Sequence, residues 1–328
     1  MNYKNVRETF DVVANSLLEI LEVSRCFSSI RSNATLESLT KRIQTDRFRV
    51  LVIGEFSRGK SALLNAILGR DLIKSKSAPS TPIVIRINYG ETPQARLVFQ
   101  DDREDQVVSI EAFRSEYQLS VEDVDDGRNF GSESRVSFDR FKDIDHAVLE
   151  YPLELCRHGV ELIDTPGLNH DATRSNRTRK YLQEVDAVIM VLDATQLLND
   201  REVNVIENVL HPLGLNNIFF VVNKWNLIDE AVLKPEDAER EKGELNARIS
   251  QQLHPFCYID GRDRSADRIF RVNALGALRG RLGQSPWSDP QMLAASGIPS
   301  FEAALEDFLV KERIRTRGQF IRNSLDNW

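Results

Sequence analysis

The chain has 328 residues, 41% of them apolar, which suits one large domain with a full core and an appendage. Its net charge of −7, from 43 basic and 50 acidic side chains, gives no general attraction for nucleic acid, whose binding rests on neutralising phosphates. The three cysteines, Cys26, Cys156 and Cys257, are widely spaced and odd in number. No disulfide framework or cysteine-based metal motif follows, and reduced thiols of a cytosolic protein are expected.

The opening MNYKNVRETF has no apolar signal core, and no run of about 18 apolar residues occurs, so no transmembrane helix is expected. Residues 4 to 45 read as helical: Val6, Phe10, Val13, Leu17 and Ile20/Leu21 fall on one face. A second helix is expected over Leu36–Gln44. This face packs either on the side of the following domain or, as a neck, against a helix from the far end of the chain. The apolar run Phe48–Ile53 then predicts a strand, followed by Gly54-Glu55-Phe56-Ser57-Arg58-Gly59-Lys60-Ser61 and a helix from Ala62. Strand, glycine loop and helix fit G-x-x-x-x-G-K-[ST], the phosphate-binding loop. Glycines let the backbone curl so that N–H groups face phosphate oxygens, and the helix adds its positive N-terminal end. Lys60 is suited to the β- and γ-phosphates and the Ser61 hydroxyl to Mg²⁺. Gly54 through Ala62 are thus the expected phosphate-binding set.

Arg70–Pro82 is polar and reads as a mobile loop. Strands are expected at Ile83–Tyr89 and Ala95–Phe99, and a short helix near Ile110–Tyr117. The tract from Asp101 to Asp143 reads as an acidic insertion, its Ser120–Asp126 part too charged for a core. Further strands are expected at Ala147–Tyr151, Val160–Ile163, Ala187–Leu192, Ile218–Val222 and Arg268–Val272. Helices are expected at Asn176–Val185, Asp200–Leu210, Pro235–Leu253 and Pro299–Leu325. This alternation predicts a doubly wound, mostly parallel α/β sheet, with ligands at the carboxyl ends of its strands.

The remaining motifs lie at such ends. Thr81, in the loop before a strand, has a hydroxyl able to meet Mg²⁺ when a γ-phosphate is present, which would make that loop a switch. Asp164 ends a strand and precedes Thr165-Pro166-Gly167; its carboxylate suits Mg²⁺, usually through water, and the Gly167 N–H suits the γ-phosphate. Asn223-Lys224-Trp225-Asn226 is similar to the guanine box N-K-x-D. Lys224 would lie over the base and Asn223 would tie this loop to the phosphate loop. Asn226 stands where an Asp normally accepts two hydrogen bonds from guanine. An amide has one acceptor and one donor, so the charged bidentate pair is lost. Asp229 is not expected to replace it. Asn273-Ala274-Leu275 would bring backbone N–H groups to the guanine O6. The histidines form no cluster.

Together GEFSRGKSALLNAILG, the Pro79–Pro82 loop, DTPG and NKWN resemble a dynamin-family GTPase, most of all its bacterial branch. The resemblance covers Arg47 to Leu275, with flanking helices similar to the family's neck. It implies a neck segment over 1–45, a GTPase domain over 46–285 and a C-terminal neck helix over 299–328. It also implies catalysis by Ser57, Lys60, Thr81 and Gly167, with Mg²⁺ held by Ser61, Thr81 and Asp164. Ser57 matches a serine that helps hold a charge-compensating K⁺ or Na⁺. A second copy of the domain would order the switches across the nucleotide and stimulate hydrolysis. Leu168, after the DTPG motif, cannot orient water, and Phe56 departs from the polar residue of the animal dynamins. No arginine finger is required, so Arg58 is expected to face solvent or a dimer contact. The expected ligands are GTP and GDP, in the cytoplasm. The family's stalk and membrane tip follow the GTPase domain, and this chain stops at Trp328. Membrane remodelling is therefore expected only with a stalk or membrane-binding partner. The alternative is a nucleotide-dependent assembly or interaction module with little hydrolysis or an altered base preference.

Overall fold

In the computed structural model, residues 16, 47–55, 57–74, 83–101, 103–117, 143–157, 159–164, 182, 185–196, 198–213, 215–231, 235–259 and 261–311 are described. The chain divides into two compact units, one of Arg49–Glu302 and one of Met1–Phe48 with Ala303–Trp328. The helices expected before residue 46 and the Asn176–Val185 helix fall outside the described residues, apart from helical Ser16 and Leu182 and the buried, non-helical Val185.

The larger unit is built on a nine-stranded sheet in the order β11-β8-β7-β1-β6-β2-β5-β3-β4. The strands are β1 (Phe48–Ile53), β2 (Val84–Tyr89), β3 (Gln94–Phe99), β4 (Gln106–Val108), β5 (Ile144–Tyr151), β6 (Val160–Asp164), β7 (Ala187–Asp193), β8 (Ile218–Asn223) and β11 (Ile269–Arg271). A small hairpin of β9 (Tyr258–Ile259) and β10 (Arg262–Asp263) stands apart from the sheet. β1, β7, β8 and β11 pair in parallel. All seven residues of β7 and all six of β8 are buried, as continuous apolar runs predict for strands covered on both faces. Beyond β6 the pairing changes character: β2 is antiparallel to β6 but parallel to β5, and β3 is antiparallel to β5 and β4.

Strand alternation divides the core into two faces. Leu51, Ile53, Val188, Met190, Phe220 and Val222 belong to a cluster completed by Ile249, Leu253 and Cys257. From the other side of β8, Phe219 meets Phe301 at 6.4 Å between ring centroids, and Phe301 meets Phe270 at 5.3 Å.

The helices are α1 (Lys60–Leu68), α2 (Ile110–Glu116), α3 (Asp200–Val205), α4 (Asn226–Ala231), α5 (Pro235–Cys257), α6 (Ser265–Arg268), α7 (Ala274–Arg281) and α8 (Pro290–Ala295). The expected Asp200–Leu210 helix is α-helical only to Val205 and continues as a π turn over Ile206–Leu210. α5 runs past its expected end at Leu253, through Pro255, because Leu253 and Cys257 are both buried and hold the last turn against the core. α4, β4 and the small hairpin had no periodic signal long enough to reveal them. Arg281 of α7 donates to the Ala66 and Ile67 carbonyls at the end of α1 and pairs with Glu302, satisfying carbonyls that a helix end leaves open.

In the smaller unit, helical residues 303–311 carry buried Leu305 and Leu309 one turn apart, with Val310 also buried. Among the described residues no helix is long and apolar enough to cross a membrane.

Candidate nucleotide site

Parallel pairing brings the carboxyl ends of β1, β7, β8 and β11 to one edge of the sheet. Gly54 follows β1, and a Cβ there would lie 2.5 Å from the Val191 carbonyl oxygen. Ser57 has φ 63, a left-handed conformation uncommon for a residue with a side chain, and such outliers concentrate at functional loops. Gly59 is the N-cap of α1, with φ 94 and no side-chain cap. The first closing hydrogen bond is Leu63 N–H to the Gly59 carbonyl, 2.9 Å. The N–H groups of Lys60, Ser61 and Ala62 therefore have no helical acceptor and are available to an anion.

Lys60 Nζ donates to the Gly54 carbonyl at 2.7 Å and the Glu55 carbonyl at 3.1 Å, so its ammonium is held over the loop. Burial lowers its pKa from 10.5, while the charges of Asp164 and Glu55 oppose the shift. Asp164 is buried at the end of β6. Burial raises its carboxyl from 3.8 to about 6, against the pull of Lys60. Its Oδ1 has no hydrogen-bond partner among the described residues. A buried carboxylate oxygen with no partner among the described residues, close enough to Lys60 to feel its charge, is a hard donor of the kind Mg²⁺ takes together with phosphate and water. The residues fit that ion. Among the described residues no cluster of three His, Cys, Asp or Glu forms a protein-only metal cage.

The expectation for Arg58 is corrected. It is 3% exposed. Its Nη1 donates to the Gln196 carbonyl at 2.9 Å, its Nη2 to Glu55 Oε2 at 3.3 Å, and its Nε lies 3.0 Å from buried Glu202 Oε1. Asn199 Nδ2 also donates to Glu55 Oε2, at 2.7 Å. A solvent-facing or dimer-contacting arginine was expected because no arginine finger is required. The side chain turns inward because Glu202 is buried in the capping box that starts α3 and needs a counter-charge. Burial raises the Glu202 pKa, partly offset by the hydrogen bond from the Asn199 N–H and by the charge of Arg58. This arrangement also holds the Glu55 carboxylate in side-chain bonds rather than leaving it loose beside an anion cradle.

Asn223 joins the motifs. Its Nδ2 donates to the Arg58 carbonyl at 3.1 Å, and its Oδ1 accepts from Ala274 N–H at 3.1 Å. A Cβ on Gly59 would lie 2.2 Å from that Nδ2. The next residue, Lys224, has φ 62, and its Nζ donates to Asp193 Oδ2 at 2.6 Å. Asp193 Oδ1 accepts from the Thr195 N–H and hydroxyl. Burial pushes the Asp193 pKa up, but the bonds from Lys224 and Thr195 outweigh it and the net shift is downward. Asn226 opens α4 and donates to Glu230 Oε1 at 2.8 Å. Asp229 is engaged by Lys242 at 2.5 Å. Asn273 caps α7 through Gly276 N–H. With Ala274 N–H committed to Asn223, the Leu275 N–H is the first-turn donor of α7 without a partner among the described residues.

Among the expected site residues, Phe56, Thr81 and Gly167 lie outside the described residues, as does Leu168. Gly54, Arg58, Gly59, Lys60 and Asp164 converge with Asn223 and Ala274 through the contacts above. Sequence reasoning missed Asp193, Gln196, Asn199, Glu202 and Glu230. Asn199-x-x-Glu202 was readable as a capping box, and Asp193 ends a buried strand as Asp164 does. Gln196 and Glu230 carried no signal.

A model described as the dynamin family matches residues 50–225. A bacterial dynamin-like protein of Nostoc punctiforme is 30% identical over 94% of this chain and 44% of its own length. A solved oligomerised bacterial dynamin pair, reported as a mechanism for long-range sensing and tethering of membranes, aligns with TM-score 0.60 and 18% identity, covering 99% of this chain and 46% of that one. LeoA, a bacterial dynamin GTPase from ETEC, aligns with TM-score 0.51 and 15% identity over 99% of this chain and 48% of its own. The chain thus spans less than half the length of these relatives. With more than half of the chain matched by the family model, it belongs to the dynamin family and carries that family's GTPase domain.

Proposed function

With the dynamin family as premise, we propose that this chain binds GTP at the Gly54–Ala62 loop and hydrolyses it to GDP and phosphate. The observation that carries the reading is Asn223, bonded at once to the phosphate loop at Arg58 and to the base loop at Ala274. One side chain thereby sets the spacing between the two ends of a nucleotide. In this reading the free N–H groups of the α1 first turn hold the β-phosphate, and Lys60 leaves its carbonyl partners for the β- and γ-oxygens. Ser61 and Asp164, with Thr81, would hold Mg²⁺, which family GTPases generally use and which supplies charge neutralisation at the phosphates. The Gly167 N–H would meet the γ-phosphate. Ser57, held left-handed, would help place K⁺ or Na⁺ beside the phosphates, and a second copy of the domain would order the switches. Asn226, Lys224 and the Asn273–Leu275 turn would hold the base. Residues 1–45 and 299–328 would form a neck. Joined to a stalk, such a head would drive remodelling of membranes, or their tethering, the role reported for the paired bacterial dynamins.

The test measures nucleotide binding by calorimetry and phosphate release against protein concentration, in K⁺ and Mg²⁺. GTP binding with specific activity rising with concentration is expected, and Lys60→Ala should lower turnover by at least about 100-fold with the circular dichroism spectrum retained. Flat concentration dependence removes the dimer from the reading. Tight binding without phosphate release, at any concentration, establishes the second reading, a non-hydrolysing nucleotide switch. That reading draws on one observation: Asn226, an amide bonded to Glu230, stands where a guanine box supplies a charged two-oxygen acceptor.

A further inference from the structure

Lys224 lies at the carboxyl edge of the sheet, directly after β8, and both ends of its side chain are pinned. At the near end the backbone is left-handed, φ 62, and is tied on each side: Trp225 N–H donates to the Val272 carbonyl at 3.1 Å and Leu227 N–H to the Lys224 carbonyl at 3.0 Å. At the far end Nζ donates to Asp193 Oδ2 at 2.6 Å. Asp193 ends the neighbouring strand β7 and is 4% exposed. Its orientation is fixed from the other side, because Oδ1 accepts from the Thr195 N–H at 2.8 Å and from the Thr195 hydroxyl at 2.7 Å. With its pKa shifted downward the carboxylate is ionised at neutral pH, so the contact is a charged pair. The Lys224 side chain stays 33% exposed, which leaves part of its stem open to a ligand.

The pair needs both carboxylate oxygens. An amide at this position would have one oxygen that accepts and an NH₂ that only donates. With the oxygen turned to Thr195, the NH₂ would face the lysine ammonium; with the oxygen turned to Lys224, the NH₂ would face the Thr195 N–H. Neither orientation satisfies both sides, so holding Lys224 here requires an aspartate. A lysine without a partner is a flexible four-carbon stem with a strongly hydrated head. A ligand that packs on such a stem must first order it, at a cost in affinity. Held by Asp193, the Lys224 stem is ordered before any ligand arrives, and its methylenes form an apolar strip beneath a charge that is already neutralised. Such a strip suits the face of a planar ring. Ring faces are alike among purines, whereas ring edges differ.

We propose that Asp193 is a positioning residue for nucleotide binding: by holding the Lys224 ammonium, it lays the lysine stem in place for the face of the purine ring. The proposal rests on the nucleotide-site reading above and adds the residue that prepares the base end before the ligand binds. Its signature is an affinity that changes alike for different purines, and only through Lys224.

The experiment titrates GDP and IDP, each with Mg²⁺, into the parent chain, Asp193→Asn, Lys224→Met and the double variant, by calorimetry. Lys224→Met keeps an unbranched stem but gives Asp193 nothing to hold. The cost of ordering one long side chain predicts that each single variant binds GDP about fivefold more weakly, with the GDP-to-IDP ratio unchanged to within about twofold. Because both substitutions break the same contact, the double variant should be weaker than either single by less than about twofold. Circular dichroism checks the fold of each variant. The two singles reach the pair from opposite sides, and the double variant leaves neither charge unpaired. Losses that multiply in the double variant are what a merely structural role for Asp193 would give, and they overturn the proposal. So does unchanged or tighter GDP binding in either folded single, or a shifted GDP-to-IDP ratio; all three leave the nucleotide site standing. A parent chain that binds neither nucleotide overturns the site reading and the proposal together.

Discussion

The two ends of the candidate site are built by different means. At the phosphate end the work is done by backbone and by buried charge: Gly54 and Gly59 have no room for a side chain, Arg58 and Glu202 are sealed from water, and the first turn of α1 presents N–H groups. At the proposed base end the groups are side chains on a short helix, with half-buried Asn226 bonded to exposed Glu230. A backbone cradle recognises any phosphate and tolerates little change. A side-chain reader on a half-exposed helix can be altered one atom at a time, and its selectivity with it.

Substitutions should therefore move stability strongly, in either direction, at the phosphate end and mainly selectivity at the base end. Arg58→Ala should have the largest effect. It leaves Glu202, 2% exposed, and Glu55 without their guanidinium, and removal of one partner of a buried pair costs about 3–5 kcal/mol. Urea unfolding without nucleotide measures it; a loss under about 1 kcal/mol would mean the clamp is not what orders the loop.

Asp164→Asn tests the buried carboxylate. Burial pushes its carboxyl from the ordinary 3.8 up to about 6 in the folded state, so the folded state binds the proton more tightly than the unfolded. The cost of burying the charge is then fully present above pH 6, declines as pH falls, and is gone below pH 3.8. Without nucleotide or Mg²⁺, the variant should be more stable than the parent by about 3 kcal/mol at pH 8, with the difference shrinking toward pH 4. A pH-independent difference would show that Lys60 or solvent already compensates the charge.

Gly59→Ala should cost about 2 kcal/mol, since its Cβ would meet the Asn223 amide in a left-handed backbone. The Asn223 side chain has some freedom to yield, so nucleotide affinity should fall more than stability does. Equal losses would assign Gly59 to folding alone. The smallest effect belongs to the base end. Asn226→Asp should raise GDP affinity by about tenfold, as a charged two-oxygen acceptor replaces one carbonyl. Stability should fall by no more than about 0.5 kcal/mol from the new like charge beside Glu230. A change in stability larger than the change in binding would erase the contrast between the two ends.

The phosphate loop was legible because its geometry needs particular residue types at fixed spacing, and a strand and helix on either side can be read from apolar runs. Asp164, Asn223 and Asn273 were legible as residues at strand ends for the same reason. Arg58 was misread because nothing local distinguishes an exposed arginine from a buried one. Its partner Glu202 lies far along the chain, and only the pairing of β1 with β7 brings them together. Asn223 was correctly expected to reach the phosphate loop, but that its other end holds Ala274 N–H, leaving the open donor at Leu275, follows from the β8–β11 pairing alone.

By itself, then, the sequence determined the fold class and which residue types stand at the ends of the strands. It does so because hydrophobic periodicity and glycine placement are local properties of the chain. The tertiary structure decided which partner each of those residues meets. Sheet order places Glu202 against Arg58 and Asp193 against Lys224, and a single turn of α4 places Glu230 against Asn226. Charge and hydrogen-bond direction depend on those partners, so the protonation of Asp164 and the hydrogen bonding of the Asn226 amide emerge only when the chain is folded.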